Sequence, residues 1–314
     1  MTQTKVQAQR EAGLGKRLLK NIRMHPWLYL MFIPVILFYL LFHYGPMYGA
    51  LIAWKQYSPA RGIWGSKWIG AKHFLTFLNG PFFWRLIRNT ISINLGMLTF
   101  GFPLPILFAL LLNELRLHRF RRVVQTVTYM PHFVSAVVVC GLMTIFCRSD
   151  GLLTYILSFL GMPSTNLLTV ERYFQPLYIG MNIWQELGWD SIIYFAALTN
   201  VDPALYEAAR VDGAGRWKQM LHITLPGIAP TIVILLILRV GNLMSLGWDR
   251  IVLLYSEMVY ATADVISTYV YRTGLNQLQY SYASAVGLMN SLVNILLLLM
   301  ANAVARRISG SSLW

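Results

Sequence analysis

Residues 27–53 read WLYLMFIPVILFYLLFHYGPMYGALIA, without one Asp, Glu, Lys or Arg. A helix crosses a ~30 Å hydrocarbon core with about 20 predominantly apolar residues, so this run is long enough for a full crossing. It exceeds the core of a signal peptide, and no convincing small-residue cleavage site accompanies it. The segment before it, 1–26, is polar and basic, with Lys5, Arg10, Lys16, Arg17, Lys20 and Arg23 against Glu11 alone. The two read together as an uncleaved first span with a cytoplasmic N-terminus, because cytoplasmic flanks collect Lys and Arg.

Further apolar segments follow at about 86–113, 123–147, 174–198, 227–247 and 282–305. Composition agrees: 56% of the 314 residues are hydrophobic and 12% charged, with a mean hydropathy of +0.53. Soluble domains are nearer a quarter charged, so an ordinary water-soluble globule is excluded. Six spans leave loops too small for a large soluble domain. The net charge of +14 is spread between apolar runs instead of gathered on one basic domain, which argues against nucleic-acid binding. The link ELRLHRFRR after the second run carries Arg116, Arg119, Arg121 and Arg122, and Arg306 and Arg307 follow the sixth. With six spans these segments share one side with 199–226 and with the C-terminal 306–314. The expected fold is an all-α integral membrane protein of six transmembrane helices, N-in and C-in. One segment dissents: 55–88 holds Lys55, Arg61, Lys67, Lys72, Arg85 and Arg88 and no acid. Trp64 and Trp68 within it suit an interfacial hairpin on the outer side.

Prolines stand in the spans, Pro34 in the first, Pro103 and Pro105 in the second and Pro131 in the third. Neighbouring groups can satisfy the backbone they free, and they read as packing kinks or as hinges. Cys140 and Cys147 lie in one apolar run, a placement for helix packing rather than a disulfide framework. His43, His73, His118, His132 and His222 have no metal-ligand spacing, so no metal is assigned. No G-x-x-x-x-G-K-[ST] phosphate cradle occurs, so nothing here hydrolyses ATP.

Between the fourth and fifth spans composition changes sharply. Residues 199–226 read TNVDPALYEAARVDGAGRWKQMLHITLP. Asn200 or Asp202 can cap a helix and Pro203 suits its first turn. A short helix over 204–212 is expected, broken by Gly213 and Gly215. A second should run from about Arg216 to Leu221, with Pro226 marking the return into the membrane. A helix–turn–helix lying flat on the cytoplasmic surface, with small residues exposed, is shaped for another protein's groove.

These residues resemble a known family. Glu207-Ala208-Ala209, three residues including Asp212, Gly213, nine residues, then Ile223-Thr224-Leu225-Pro226 is similar to the EAA signature of permease subunits of bacterial ABC importers. DGAGRWKQMLHITLP resembles the carbohydrate-uptake branch. YGPMYGALIAWKQY (44–57), WIGAKHF (68–74), RNT (88–90), PHFVS (131–135), WQELGW (184–189) and the end RRISGSSLW resemble its permeases for complex or acidic oligosaccharides. The resemblance implies a bacterial cell membrane location and a coupling helix between spans four and five that docks on a separate ATPase. Glu207 would meet a partner cation, and Ala208, Ala209 and Gly213 would allow close approach. It implies a homologous second permease, two ATP-binding cassette subunits holding ATP and Mg, and an extracellular solute-binding protein. This chain would form half of an oligosaccharide path and carry no cofactor.

Ionised groups at mid-membrane are costly and mark pathways or paired sites. Asn182, Glu186 and Asp190 recur along one helical stripe of the fourth span, and Arg239 and Asn242 lie in the fifth. Counting from the intervening loop puts Glu186 and Arg239 at similar depth, where they can pair. The stripe reads as an ion pair joining two helices or as the lining of a sugar path. Trp184, Gln185 and Trp189 add the aromatic and amide groups that sugars use. The basic outer segment, Lys67 and Lys72 included, can attract an anionic oligosaccharide, an acidic patch on a delivery protein, or lipid headgroups. The alternative function is a self-contained secondary transporter or channel, which would need ion-coupling groups in broken helices. A membrane-embedded enzyme would use Glu186 and Asp190 as an acid pair but shows no accompanying nucleophile.

Overall fold

The computed structural model describes Asn21 and residues 24–309. Most of the expected 1–26 tail, and 310–314, lie outside the described residues. The helices that carry the architecture are α1 (Pro26–Trp54) and α2 (Phe83–Glu114), the bent pair α3 (His118–Phe133) and α4 (Ala136–Phe146), and α5 (Glu171–Leu198). After them come α6 (Pro203–Val211), α7 (Arg216–Gly241), α8 (Trp248–Leu254) and α9 (Tyr280–Ser309). Among the described residues, α1, α2, α7 and α9 are long and apolar enough to cross a membrane, and the bent pair makes a fifth if it is one span.

Three expected spans differ from the sequence reading. The one at 123–147 is not a single rod: α3 and α4 meet at 98°. Pro131 sits at the end of α3, and Ser135 restarts the chain by accepting the Val138 N–H on its side chain. Helix α4 has 11 residues, about 16 Å at 1.5 Å per residue, and does not cross alone. The expected fourth span, α5, has 28 residues but is not among the helices apolar enough to cross, since it carries Asn182, Glu186 and Asp190. The fifth begins earlier and ends earlier than 227–247. Helix α7 runs unbroken from Arg216, so Pro226 marks no break, and the chain unwinds after Gly241.

A local rule explains how the prolines are housed. The π turns Leu40–Tyr44, Met97–Gly101 and Met220–Thr224 each end two residues before a proline, Pro46, Pro103 and Pro226. Proline removes one N–H and its ring collides with the carbonyl four residues back. The wider π turn shifts that carbonyl aside and keeps the helix continuous. Of these three, Pro103 was read from the sequence as a kink or hinge, and the structure keeps the helix continuous there.

Helix α5 is the central element, packing on α2, α3 and α7, while α9 packs on α7 and the end of α1. One apolar core joins Ile106, Ala109 and Leu110 of α2 to Tyr194 and Leu198 of α5 and Ile228 of α7. Another holds Cys140 and Cys147 with Phe174, Tyr178 and Ile251, and both thiols are free. Close approach of α5 to α3 depends on Gly188. A Cβ there would lie 2.2 Å from the Thr128 carbonyl oxygen, a backbone atom that cannot swing away. Gly188→Val should cost about 1–3 kcal/mol by overpacking and lower the detergent melting temperature by several degrees. An unchanged melting curve would show that the two helices do not meet there.

Within 55–88 only residues 55–68 form a hairpin; a helix, Lys72–Leu78, and the start of α2 follow. Strands β1 (Lys55–Gln56) and β2 (Lys67–Trp68) pair antiparallel, Lys55 opposite Trp68, and Trp64 and Trp68 are exposed. The basic residues of 55–88 divide into two sets. Lys55 is buried and donates to the Ile63 carbonyl at 2.8 Å. Arg85 reaches Asp264 at 3.2 Å and Arg88 the Ala261 carbonyl at 3.0 Å. Arg61, Lys67 and Lys72 stay exposed. Asp264, 0% exposed, also accepts from Arg272 at 2.7 Å and Thr268 at 2.9 Å. Burial works to lower the Arg272 pKa, yet the hydrogen bonds and charge of Asp264 hold it above the usual arginine value.

Candidate functional site

The polar stripe of α5 faces a cluster assembled from three other elements. Glu186 meets Arg250 of α8 at 2.9 Å and His132, at the end of α3, at 2.6 Å. Arg250 also donates to the Asn182 side-chain oxygen, and Asn182 donates to the Tyr178 carbonyl at 2.7 Å. Asp190 meets Arg239 at 3.5 Å. The expected Glu186–Arg239 pair therefore does not form: Arg239 reaches one turn further along α5, to Asp190. Depth counting treated both helices as straight rods and left out α8, which brings Arg250 level with Glu186.

The remaining expected residues separate. Trp189 stacks on His132 with ring centroids 4.2 Å apart and planes 2° apart. Gln185, 2% exposed, donates to the Val134 carbonyl at 3.0 Å. It secures the α3–α4 break rather than lining a path. Trp184 is 53% exposed; two residues past Asn182 it points about 200° away, at about 100° per residue. His132 and Arg250 were not singled out for the site from the sequence. Pro131 immediately before His132, and the lone arginine in WDRIVLL, were the available signals.

Two cavities, of about 240 Å³ and about 370 Å³, share Arg239 and Asn242 in their walls. Asp190 and Tyr194 line the smaller; Asn94, Asn182, Ser245, Asp249 and Arg250 line the larger. The chain from Asn242 to Gly247, expected to be helical, is unwound along this wall. Non-helical backbone at membrane depth persists where it lines a cavity and its groups find partners. Asn294 of α9 supplies one: its side-chain oxygen accepts the Met244 N–H at 2.9 Å, and its amide donates to Ser245 Oγ at 2.7 Å. Asn294→Leu should leave that N–H unpaired, cost about 1–3 kcal/mol, and reduce transport together with the melting temperature. Full transport at an unchanged melting point would discount the contact.

At the far end of α5 the chain turns into α6. Asp202 caps it, accepting the Ala204 N–H at 2.9 Å. At its C-terminus the Ala214 N–H bonds to the Ala209 carbonyl at 2.8 Å and the Gly213 N–H to the Arg210 carbonyl at 3.1 Å. This double closure is a Schellman motif, which needs a left-handed residue, and Gly213 has φ +75°. Tyr206 hydrogen-bonds Thr224 at 2.9 Å, and Arg216 pairs with Glu114 at 3.8 Å. The first contact ties α6 to the base of α7; the second ties the start of α7 to the end of α2. Glu207, Ala208, Asp212 and Gly213 are exposed; Ala209, Ile223 and Leu225 are half-buried, and Pro226 is exposed. Val211 at 88% and Trp217 at 71% exposure add a bare apolar edge.

A polar cavity among long apolar helices, joined to an exposed capped helix, defines a membrane transport component rather than an enzyme. The chain belongs to the binding-protein-dependent transport system inner membrane component family, whose model matches residues 101–310. It is 46% identical to the polygalacturonan/rhamnogalacturonan transport system permease protein YteP of Bacillus subtilis (strain 168), over 93% of this chain and 91% of that protein. The crystal structure of a bacterial ABC transporter that imports the acidic polysaccharide alginate matches with TM-score 0.85 and 45% identity, covering 93% of this chain and 99% of that one. The same kind of alginate transporter in complex with an alginate pentasaccharide-bound periplasmic protein matches with TM-score 0.85 and 44% identity, covering 95% and 100%.

Proposed function

We propose that this chain is one of two permease subunits of an ATP-driven importer for oligosaccharides derived from acidic polysaccharides. It works with a homologous second permease, two ATP-binding cassette subunits and an extracellular solute-binding protein. It spans the cell membrane six times, N-in and C-in, with α3–α4 as one bent span and α5 as the polar fourth. The partner subunits hold ATP and Mg, and closure of that pair drives α6 and, through Tyr206–Thr224 and Arg216–Glu114, the helices around the cavity. The observation that carries this reading is α6 itself: a rigidly capped, exposed helix attached directly to a cavity-lining one.

The sugar path runs along Asn182, Glu186, Asp190, Arg239 and Asn242, with Trp189 offering an aromatic face. The exposed Arg61, Lys67 and Lys72 and the cavity arginines favour a uronate-containing chain, as the names of the similar transporters suggest. The reading is tested by reconstituting the chain with its neighbouring transport subunits in vesicles. Uptake of oligogalacturonate should require both ATP and the solute-binding protein. Accumulation by this polypeptide alone would favour a secondary transporter instead.

A further inference from the structure

A pocket of about 440 Å³ lies beside the hairpin and shares no lining residue with the cavities between α5 and α7. Gln56 and Tyr57 form one wall; Gln279, Tyr280 and Tyr282, at the start of α9, form the other, with Tyr269 beneath. The walls are tied together, since the Tyr57 N–H donates to Ser281 Oγ at 2.9 Å. The Tyr57 and Tyr280 rings meet edge to face at 6.2 Å, and the Tyr269 and Tyr282 hydroxyls are 3.2 Å apart.

The lip is held in an uncommon conformation. Leu278 has φ 57°, the left-handed region that non-glycine residues seldom adopt, and such strain gathers at ligand sites. Hydrogen bonds from Gln277 N–H to the Arg272 carbonyl at 3.0 Å and Gln279 N–H to the Thr273 carbonyl at 2.9 Å keep the turn in place. Among the described residues, the exposed amides of Gln56 and Gln279 and the half-buried hydroxyls of Tyr57 and Tyr280 make no hydrogen bond to protein. No Asp, Glu, Lys or Arg lines the pocket.

This is sugar chemistry: aromatic faces for C–H surfaces, and neutral donors and acceptors for hydroxyls. A tyrosine belt at the membrane interface accounts for the rings. It does not account for free amides around a space in the small-molecule range of about 300–1,000 Å³. His73 also lines the pocket, its Nε2–H given to the Lys55 carbonyl at 3.3 Å, and no Lys or Arg is there to meet a uronate carboxylate. We infer that this pocket is a second saccharide site, one that binds an uncharged sugar unit of the incoming oligosaccharide at the outer mouth. The inference rests on the importer reading and on its N-in orientation, which puts this face outside.

The test uses the assembled importer in nanodiscs, without nucleotide or binding protein. Saturation-transfer NMR compares oligogalacturonate with a rhamnogalacturonan oligosaccharide of equal length, in which neutral rhamnose alternates with galacturonate. Rhamnose protons should receive several-fold more transfer than galacturonate protons. Tyr280→Ala and Gln279→Leu should abolish that preference, the latter keeping the backbone bond to Thr273, and Tyr57→Phe should weaken it. No transfer to rhamnose, equal transfer to both sugars, or a preference that survives the pocket variants overturns the proposal. Uptake by vesicles carrying the complete importer is read separately. Failure to import either sugar counts against the importer reading, while the NMR comparison still judges the pocket.

Discussion

Gly213→Val should reduce ATP-driven uptake by at least about tenfold, equivalent to roughly 1.4 kcal/mol, while the protein still reaches the membrane. No heavy atom stands within 4 Å of where a Cβ would sit, so the effect is not a clash within this chain. It comes from the backbone: φ +75° costs an L-residue about 1–2 kcal/mol, and a branched side chain stiffens the position further. Relieving that strain opens the two closing hydrogen bonds at the end of α6 and turns Glu207 and Ala208 away from the orientation proposed for docking. Gly213→Asn should keep most of the uptake, because asparagine tolerates the left-handed region. Glu207→Lys should match the valine variant by reversing charge on a helix whose cap is intact. In both uncoupled variants the ATPase should stop responding to sugar-loaded binding protein. Normal uptake by Gly213→Val together with Glu207→Lys would remove α6 from the coupling role.

Arg250→Ala should be the most damaging single change in the cavity. It strips a partner from Glu186 and from Asn182 at once, leaving Glu186 with His132 alone. An unpaired buried polar group costs about 1–3 kcal/mol, and more if charged; the partial exposure of this pair keeps the cost near that range. Uptake should fall at least tenfold, with a smaller drop in the amount of assembled complex. Replacing both charges, Glu186→Gln with Arg250→Met, separates scaffolding from transport. Neutral replacement of a buried pair commonly restores stability, so the double variant should assemble like wild type yet still fail to transport. Recovery of transport along with assembly would make the cluster a structural clamp only.

Much of the molecule was legible because membranes impose simple rules. Apolar runs of a crossing's length located α1, α2 and α9 within a few residues, and α7 with both ends misplaced; the Asp202-Pro203 and Gly213 signals located α6. The α5 stripe was visible from its four-residue spacing. Illegible were the events that depend on two segments meeting. Pro131 signalled a disturbance, but its size, a 98° bend, accompanies the packing of Gly188 against Thr128 and the bond from Gln185 to Val134, which join separate segments. The unwinding after Gly241 had Gly241, Asn242 and Gly247 as local signals, but its path depends on Asn294, 50 residues beyond Met244, accepting a freed N–H.

Amino-acid order alone determined that this chain carries helices long and apolar enough to cross a membrane, that α5 bears a polar stripe, and that α6 has a glycine-closed end. Those properties follow from hydrophobic length, helical period and the backbone freedom of one residue, none of which needs a distant partner. Tertiary structure decided which charges pair, since Asp190 and not Glu186 takes Arg239. It also brought His132 and Arg250 to the polar stripe of α5 and spent Lys55, Arg85 and Arg88 on internal contacts. The physical reason is reach: an ion pair forms over a few ångströms, and a bend or an unwound turn moves a side chain further than that.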